Sequence, residues 1–324
     1  MRSLKFVVLS VLLAAGAAHA AEPGAPAGYP NKPIRFITGF LPGGVSDTIA
    51  RVAGEKLGEQ LGQRVIIDGR PGAGGVLSME IAANANPDGY TWYLGQPVIT
   101  ISPNFKRKLP VDPLKALAPV SLLGISPTVL VVHPSVPVNS VADLIKFAKS
   151  RSEGLRVASS GPGTTNHFAS ELLRVKTGAN VISIPYKGAA ATLLAAMSGE
   201  VDATFSPLVA GLTQVKAGKL KAIAVTGAKR SQVLPNVPAI AETLPGYAID
   251  AWYGILVPAK TPPAIVNYLS AETRKALESP QVKERLVSQG VDVAGSAPAD
   301  FARFIREDAV HWAKLIKDTG IQLE

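Results

Sequence analysis

Residues 34–38 read IRFIT, residues 40–47 read FLPGGVSD, and from Thr48 onward apolar residues recur at helical spacing. A turn with two adjacent glycines between a strand and a helix lets backbone N–H groups come close to a ligand. The helix start behind it carries partial positive charge. The stretch therefore reads as an anion seat built into an α/β unit.

The same rhythm continues outward from that turn. A helix over 48–61 puts Ile49, Val52, Ala53, Leu57 and Leu61 on one face; a strand over 65–67, a helix over 77–84 and a strand over 90–94 follow. This is the βαβ alternation of a parallel sheet with helices on its faces. A second unit begins near 128–133, with helices over 141–150 and 165–177 and strands over 155–159, 181–185, 201–205 and 220–226. Gly178 and Gly199 stand where helix C-caps are expected. From Trp252 onward the chain reads as mostly helical, over 263–278, 280–289 and 299–319. Phe301, Phe304, Ile305, Trp312, Leu315 and Ile316 form a core-packing stripe on the last of these helices.

Bulk properties narrow the class. Arg2 and Lys5 precede an apolar stretch over 6–16 that ends in Ala18-His19-Ala20, the pattern of a secretory signal peptide cleaved after about Ala20. The stretch has about half of the roughly 20 residues that a spanning helix requires. Residues 21–29, rich in Pro, Gly and Ala, read as a flexible leader. With no cysteine there is no disulfide, no thiol nucleophile and no residue for a lipid anchor, so the mature protein reads as soluble after export. Removing residues 1–20 takes away two basic and no acidic side chains, leaving 33 − 2 = 31 against 24, a net charge of +7. Those charges are dispersed. The tight basic cluster Lys106-Arg107-Lys108 has one aromatic neighbour, Phe105, so nucleic acid is not an expected partner. At 324 − 20 = 304 residues the chain is long enough for two domains.

Four loops share one design, each following a strand, rich in Gly or hydroxyl residues, and leading into a helix. They are 40–47, 70–75 (RPGAGG), 159–165 (SSGPGTT) and 186–188 (YKG). Loops at the C-terminal ends of parallel strands line the binding crevice of such sheets. A phosphate-loop pattern is absent, and both GxG stretches lack the third glycine of a dinucleotide fingerprint. A carboxylate suits these short turns better, because N–H groups and hydroxyls can satisfy it.

No serine stands in GxSxG, and His133, His167 and His311 lack metal-ligand spacing, so no nucleophile, metal or cofactor site is implied. His167 reads either as a ligand contact or as a loop-ordering hydrogen bond. Asp47 holds its loop or meets water or a ligand N–H group; Lys187 is either an anion partner or a solvated rim residue. Asp202 supports the hinge or a loop, or contacts the ligand. The segments 96–100 and 205–209 form the wall expected to select the solute.

Motifs along the whole mature chain resemble the Bug receptors, the TctC-like extracytoplasmic solute-binding proteins of tripartite tricarboxylate transporters. They are PGGVSD (42–47), RPGAGG (70–75), PDGYT (87–91), SSGPGTTNHFASELL (159–173), PYKG (185–188), GEVD (199–202), KAGKLKAIAVTG (216–227) and FxxFIxxDxxxW (301–312). The resemblance implies an α/β, two-lobed periplasmic-binding-protein fold, type II-like, each lobe a mainly parallel sheet flanked by helices. Lobe 1 would comprise 30–126 plus 251–324, and lobe 2 127–250. It further implies a periplasmic, monomeric receptor without a cofactor. The receptor would hold a small organic acid between its lobes and deliver it to the membrane permease subunits of a tripartite transporter. Carried over by motif, lobe-1 contacts fall on Phe40, Pro42, Gly43, Gly44, Asp47 and Gly74. Lobe-2 contacts fall on Ser160, Gly161, Thr164, Thr165, Tyr186 and Gly188; His167 and Asp202 complete the candidate set. Asp68-Gly69 stands where the family usually has Glu-Asn, Ala190-Ala191 where Pro-Ala is common, and PAKTP (258–262) where PAGTP is frequent. None of these departures removes a proposed anion donor. Two other functions stay open: a sensor that shows its closed form to a signalling partner, and an enzyme on the same scaffold.

Overall fold

The computed structural model describes residues 24–39, 45–106, 108–161, 164–186 and 188–321, without the side chain of Ala73. The signal peptide, Phe40, Pro42, Gly43, Gly44 and Lys187 lie outside the described residues.

The first unit runs β1 (Ile34–Thr38), α1 (Val45–Leu61), β2 (Val65–Gly69), α2 (Val76–Ala83) and β3 (Thr91–Gly95). Two single turns, α3 (Val98–Ile101) and α4 (Pro113–Ala116), lead to the long β4 (Leu117–Val132). Next come α5 (Val141–Ser150), β5 (Leu155–Ser159), α6 (Thr165–Thr177), β6 (Val181–Pro185), α7 (Ala189–Met197), β7 (Ala203–Pro207), α8 (Leu208–Lys216) and β8 (Lys221–Val225). The chain ends with β9 (Asp250–Pro258), α9 (Pro263–Glu278), α10 (Pro280–Val287), β10 (Asp292–Val293) and α11 (Pro298–Thr319).

Strand pairing repeats one pattern twice. In the first sheet β2, β1 and β3 are parallel, β9 is antiparallel to β3, and β4 lies beyond β9. In the second, β6, β5 and β7 are parallel, β4 is antiparallel to β7, and β8 lies beyond β4. β4 belongs to both sheets: Leu117–Pro127 pairs with β9, and Thr128–Val132 pairs with β7. The chain returns where Ile249 N–H bonds to the Thr226 carbonyl and Asp250 pairs with Pro127.

Two strand segments differ from the sequence reading, which begins a strand at Thr128 and turns helical from Trp252. Pro119, Gly124 and Pro127 read as strand breakers, yet β4 absorbs irregularities as register shifts at Pro119/Ser121 and Leu122/Gly124. β9 holds Gly254 at its centre because Phe301 of α11 lies against it. A Cβ at Gly254 would sit 2.2 Å from the Phe301 ring.

Each sheet buries both faces. Ile34, Phe36, Trp92 and Val257 pack under α1, α9 and α10, while Ile37, Tyr93 and Trp252 pack under α2 and the first half of α11. In the second unit Leu130, Val157, Phe168 and Tyr247 form one core, and Val129, Val131, Leu193 and Leu208 the other. The stripe on α11 divides between units: Phe301 and Ile305 join the first, Trp312 and Leu315 the second, with Trp312 4.7 Å from the Phe168 ring. A helix of 22 residues is about 33 Å long, enough to bridge both. α9, α10 and the front half of α11 thus pack on the first unit, and the back half of α11 packs on the second.

Candidate functional site

Register alone decides which strand ends meet. β4 is antiparallel to β9 and β9 to β3, so β3 points the way β4 points, out of the first unit and toward the second. β7 opposes β4 and β5 parallels β7, so their C-terminal ends point back. The C-terminal ends of both parallel sets therefore face each other. The β3 end, Gly95, is level with Leu122 of β4 through Gly254; the β5 end, Ser159, follows Ala158, which is level with Val131 through Thr204. The span from Leu122 to Leu130 is roughly 26 Å of strand, enough for two sets of loops with a small molecule between them.

On the first side, Gly39 extends β1 directly against the RPGAGG turn. A Cβ there would fall 2.7 Å from Ser78 Oγ and 3.1 Å from Gly75 Cα, so only glycine permits this approach. Gly74 and Gly75 adopt left-handed φ of 65° and 100°. Gly75 N–H donates to the Gly72 carbonyl at 2.9 Å, and Ser78 Oγ to the Gly75 carbonyl at 2.7 Å. α1 begins three residues earlier than its apolar periodicity suggests. Burial pushes the Tyr253 hydroxyl up to about 12, against the opposing effect of Ser46. Asp47, 6% exposed, accepts from Arg51 Nε at 2.9 Å. This bond ties the carboxylate to its own helix, and as an anion it would repel a ligand carboxylate.

On the second side Asn166, which sequence reading did not single out, organises the turn. Its Oδ1 accepts from Ser160 N–H at 3.1 Å and lies 2.6 Å from Thr164 Oγ1; its Nδ2 donates to Ser160 Oγ at 2.9 Å. Thr164 Oγ1 also lies 2.6 Å from the Gly161 carbonyl. Its single proton goes to one of these two acceptors. Ser160 Oγ accepts and keeps its proton for a ligand. The Thr165 hydroxyl and the N–H groups of Thr165 and Asn166 have no partner among the described residues. They stand in the first turn of α6, where the helix dipole favours an anion. Gly161 and Gly188 carry φ of 105° and 89°. His167 is half-buried; burial lowers its pKa against the opposing effect of Glu171, which keeps the ring neutral near pH 7.

Three candidate residues have other partners in this structure. The Thr164 hydroxyl is committed within its own loop. The Tyr186 hydroxyl bonds Glu200 Oε1 at 2.8 Å and its N–H the Ser159 carbonyl at 2.8 Å. Asp202 is not in the crevice. It precedes β7, at the opposite end of the strands, and accepts from Arg156 N–H at 2.8 Å and from the Arg151 and Arg156 guanidinium groups. Burial alone would raise its pKa, but the Arg156 and Arg151 donors outweigh it and hold the carboxyl below the usual range.

Asn166→Ala should therefore weaken capture of an acid about tenfold, since it frees the Ser160 and Thr164 groups that shape the turn. Titration calorimetry on a variant with native circular dichroism measures this; unchanged affinity would mean that the turn keeps its shape without its hub.

Two α/β units joined by crossing strands, with donors at their facing strand ends that have no partner among the described residues, are the architecture of a solute-binding receptor. Residues 49–321 match the tripartite tricarboxylate transporter family receptor, TctC, and the chain belongs to that family. Protein BugT of Bordetella pertussis is 33% identical over 299 residues, 91% of this chain and 92% of its own. The solved structure "R. palustris Rpa4515 with adipate" is 33% identical with a TM-score of 0.80, covering 91% of this chain and all of that one. MatC of Rhodopseudomonas palustris, solved "with bound malate", is 29% identical with a TM-score of 0.74, covering 89% and 100%.

Proposed function

We propose that the chain is exported to the periplasm, captures a small organic acid between its two lobes and delivers it to a tripartite tricarboxylate-type permease. The lobes are residues 30–126 plus 251–324 and residues 127–250, with α11 reaching across the hinge. The observation that carries this reading is the set of donors at the start of α6 that have no partner among the described residues, Thr165 and Asn166 N–H with the Ser160 and Thr165 hydroxyls, at the strand ends that point toward the first unit. Such donors grip a carboxylate without a buried counter-charge, and a ligand touching both lobes shifts the population toward closure. Adipate and malate, bound by the two structural neighbours, are the first acids to try.

At a hundred times its dissociation constant a bound acid stabilises the native state by about 2.7 kcal/mol, a rise of several degrees in thermal midpoint. A panel of aliphatic and aromatic acids that leaves the midpoint unmoved would sink the reading. Small-angle scattering with and without a binding acid tests closure; superposable profiles would remove that step.

A further inference from the structure

The wall segment 96–100 contains two side chains able to hydrogen-bond, Gln96 and Thr100. Thr100 is committed: its Oγ1 lies 2.6 Å from Asp308 Oδ2 and 2.9 Å from the Pro97 carbonyl. Gln96 differs. The residue is only 8% exposed, yet its amide atoms form no hydrogen bond among the described residues, and neither atom is sealed from solvent. The stem is buried while the amide tip stays accessible, so the tip is open to a polar partner on a bound molecule.

Its place says where that partner sits. Gln96 follows Gly95, the last residue of β3, and so stands at the strand end that faces the second unit. Gly95 pairs with Gly254, so the next residue along β9 is Tyr253, a buried phenol with Ser46 beside it. Thr38, at the end of the neighbouring β1, has a hydroxyl fully enclosed and out of reach. Gln96 is thus the open polar tip of this wall. An amide offers one acceptor and two donors and no charge. It suits a neutral group that both donates and accepts, because such a group uses the amide oxygen as well as the amide N–H groups, whereas a carboxylate, which only accepts, leaves the oxygen unused.

We propose that Gln96 selects among acids by hydrogen-bonding an uncharged polar group on the captured molecule, such as a hydroxyl or ring nitrogen. This rests on the acid-capture reading above and adds a class to it: acids bearing a neutral polar substituent are preferred to their plain counterparts. A site that hydrogen-bonds such a group discriminates against the analogue lacking it, because its own polar atoms are then left unpaired.

Matched pairs that differ at one polar position test it by titration calorimetry: malate against succinate, 3-hydroxyglutarate against glutarate, and nicotinate against benzoate. In every pair that binds, the polar member should bind about tenfold more tightly to the wild type. Gln96→Leu should bring the ratio to about one, since it removes both the bond to the polar member and the unpaired amide that the plain member leaves behind. Gln96→Glu places a like charge beside the ligand and should weaken every bound acid at least tenfold. Gln96→Met replaces Leu if that variant folds poorly. A wild type without the preference, a Leu or Met variant that keeps it, or a Glu variant that binds like wild type would each overturn the proposal while leaving acid capture standing. If no acid in the panel binds the wild type, the capture reading fails first and this one with it.

Discussion

Asp308→Ala lowers the unfolding free energy by about 4 kcal/mol and the thermal midpoint by roughly 8 °C. One oxygen of this α11 carboxyl gathers three donors: Thr100 Oγ1 at 2.6 Å, Trp252 Nε1 at 2.8 Å and Trp312 Nε1 at 3.2 Å. The two indoles are each 1% exposed, so alanine leaves buried N–H groups with nothing to accept them. Unsatisfied groups of this kind cost about 1–3 kcal/mol each, and the three share one acceptor, so their costs do not simply add. The carboxyl joins three places at once. Trp252 belongs to β9, Thr100 to α3, and Trp312 to the core of the second unit. Asp308→Asn retains an acceptor oxygen and should cost less than half as much. Urea unfolding at pH 7 gives both numbers. A midpoint within 2 °C of wild type for the alanine variant would show that water replaces the carboxyl without loss.

What could be read in the sequence was what is local. The strand over 34–38, the helix that ends at Leu61 and the glycine turn at 70–75 form from neighbours in the chain. Glycine and periodicity mark them to within a few residues. The hinge was hidden because β4 and β9 are set by pairing between residues more than a hundred positions apart, which overrides the breaking tendency of Pro119 and Pro127. Tyr186 and Asp202 show a different limit. A motif marks a region of the fold, but the direction of a side chain depends on partners such as Glu200, Arg151 and Arg156, which no local spacing reveals. Asn166 went unnoticed for the converse reason. An asparagine in a first helical turn is common, and only the three bonds to Ser160 and Thr164 distinguish it. Gln96 belonged to a wall legible from its place after a strand, but its lack of a partner is a fact of packing.

Stability should fall as pH rises from about 4.5 to 8, and Asp250→Asn should remove most of that fall. Asp250 opens β9 at the point where the chain crosses back beside Pro127, and its Oδ1 is sealed without a partner. Burial, then the charges of Asp292 and Asp308, push its pKa up to about 7 from 3.8. Asp292 and Asp308 are themselves raised, chiefly by burial. A carboxyl with a higher pKa in the native state holds its proton more tightly folded than unfolded. Between the two pKa values the native state binds more protons, so each step up in pH favours unfolding. A shift of about three units corresponds to about 4 kcal/mol; partial exposure of the rest of the residue brings the expected loss to about 2–4 kcal/mol. The acid limb has the opposite sign. Asp202 and Asp68 have lowered pKa values, so their contribution is present above about pH 4 and is lost as pH falls through their folded values. Together these limbs place the stability maximum on the acid side of neutrality, near pH 5. Denaturant unfolding across pH 3–9 would reveal it, with Asp250→Asn keeping the acid limb while flattening the alkaline one and gaining stability at pH 8. The same slope in both proteins would mean that Asp250 is hydrated in solution and carries its charge at little cost.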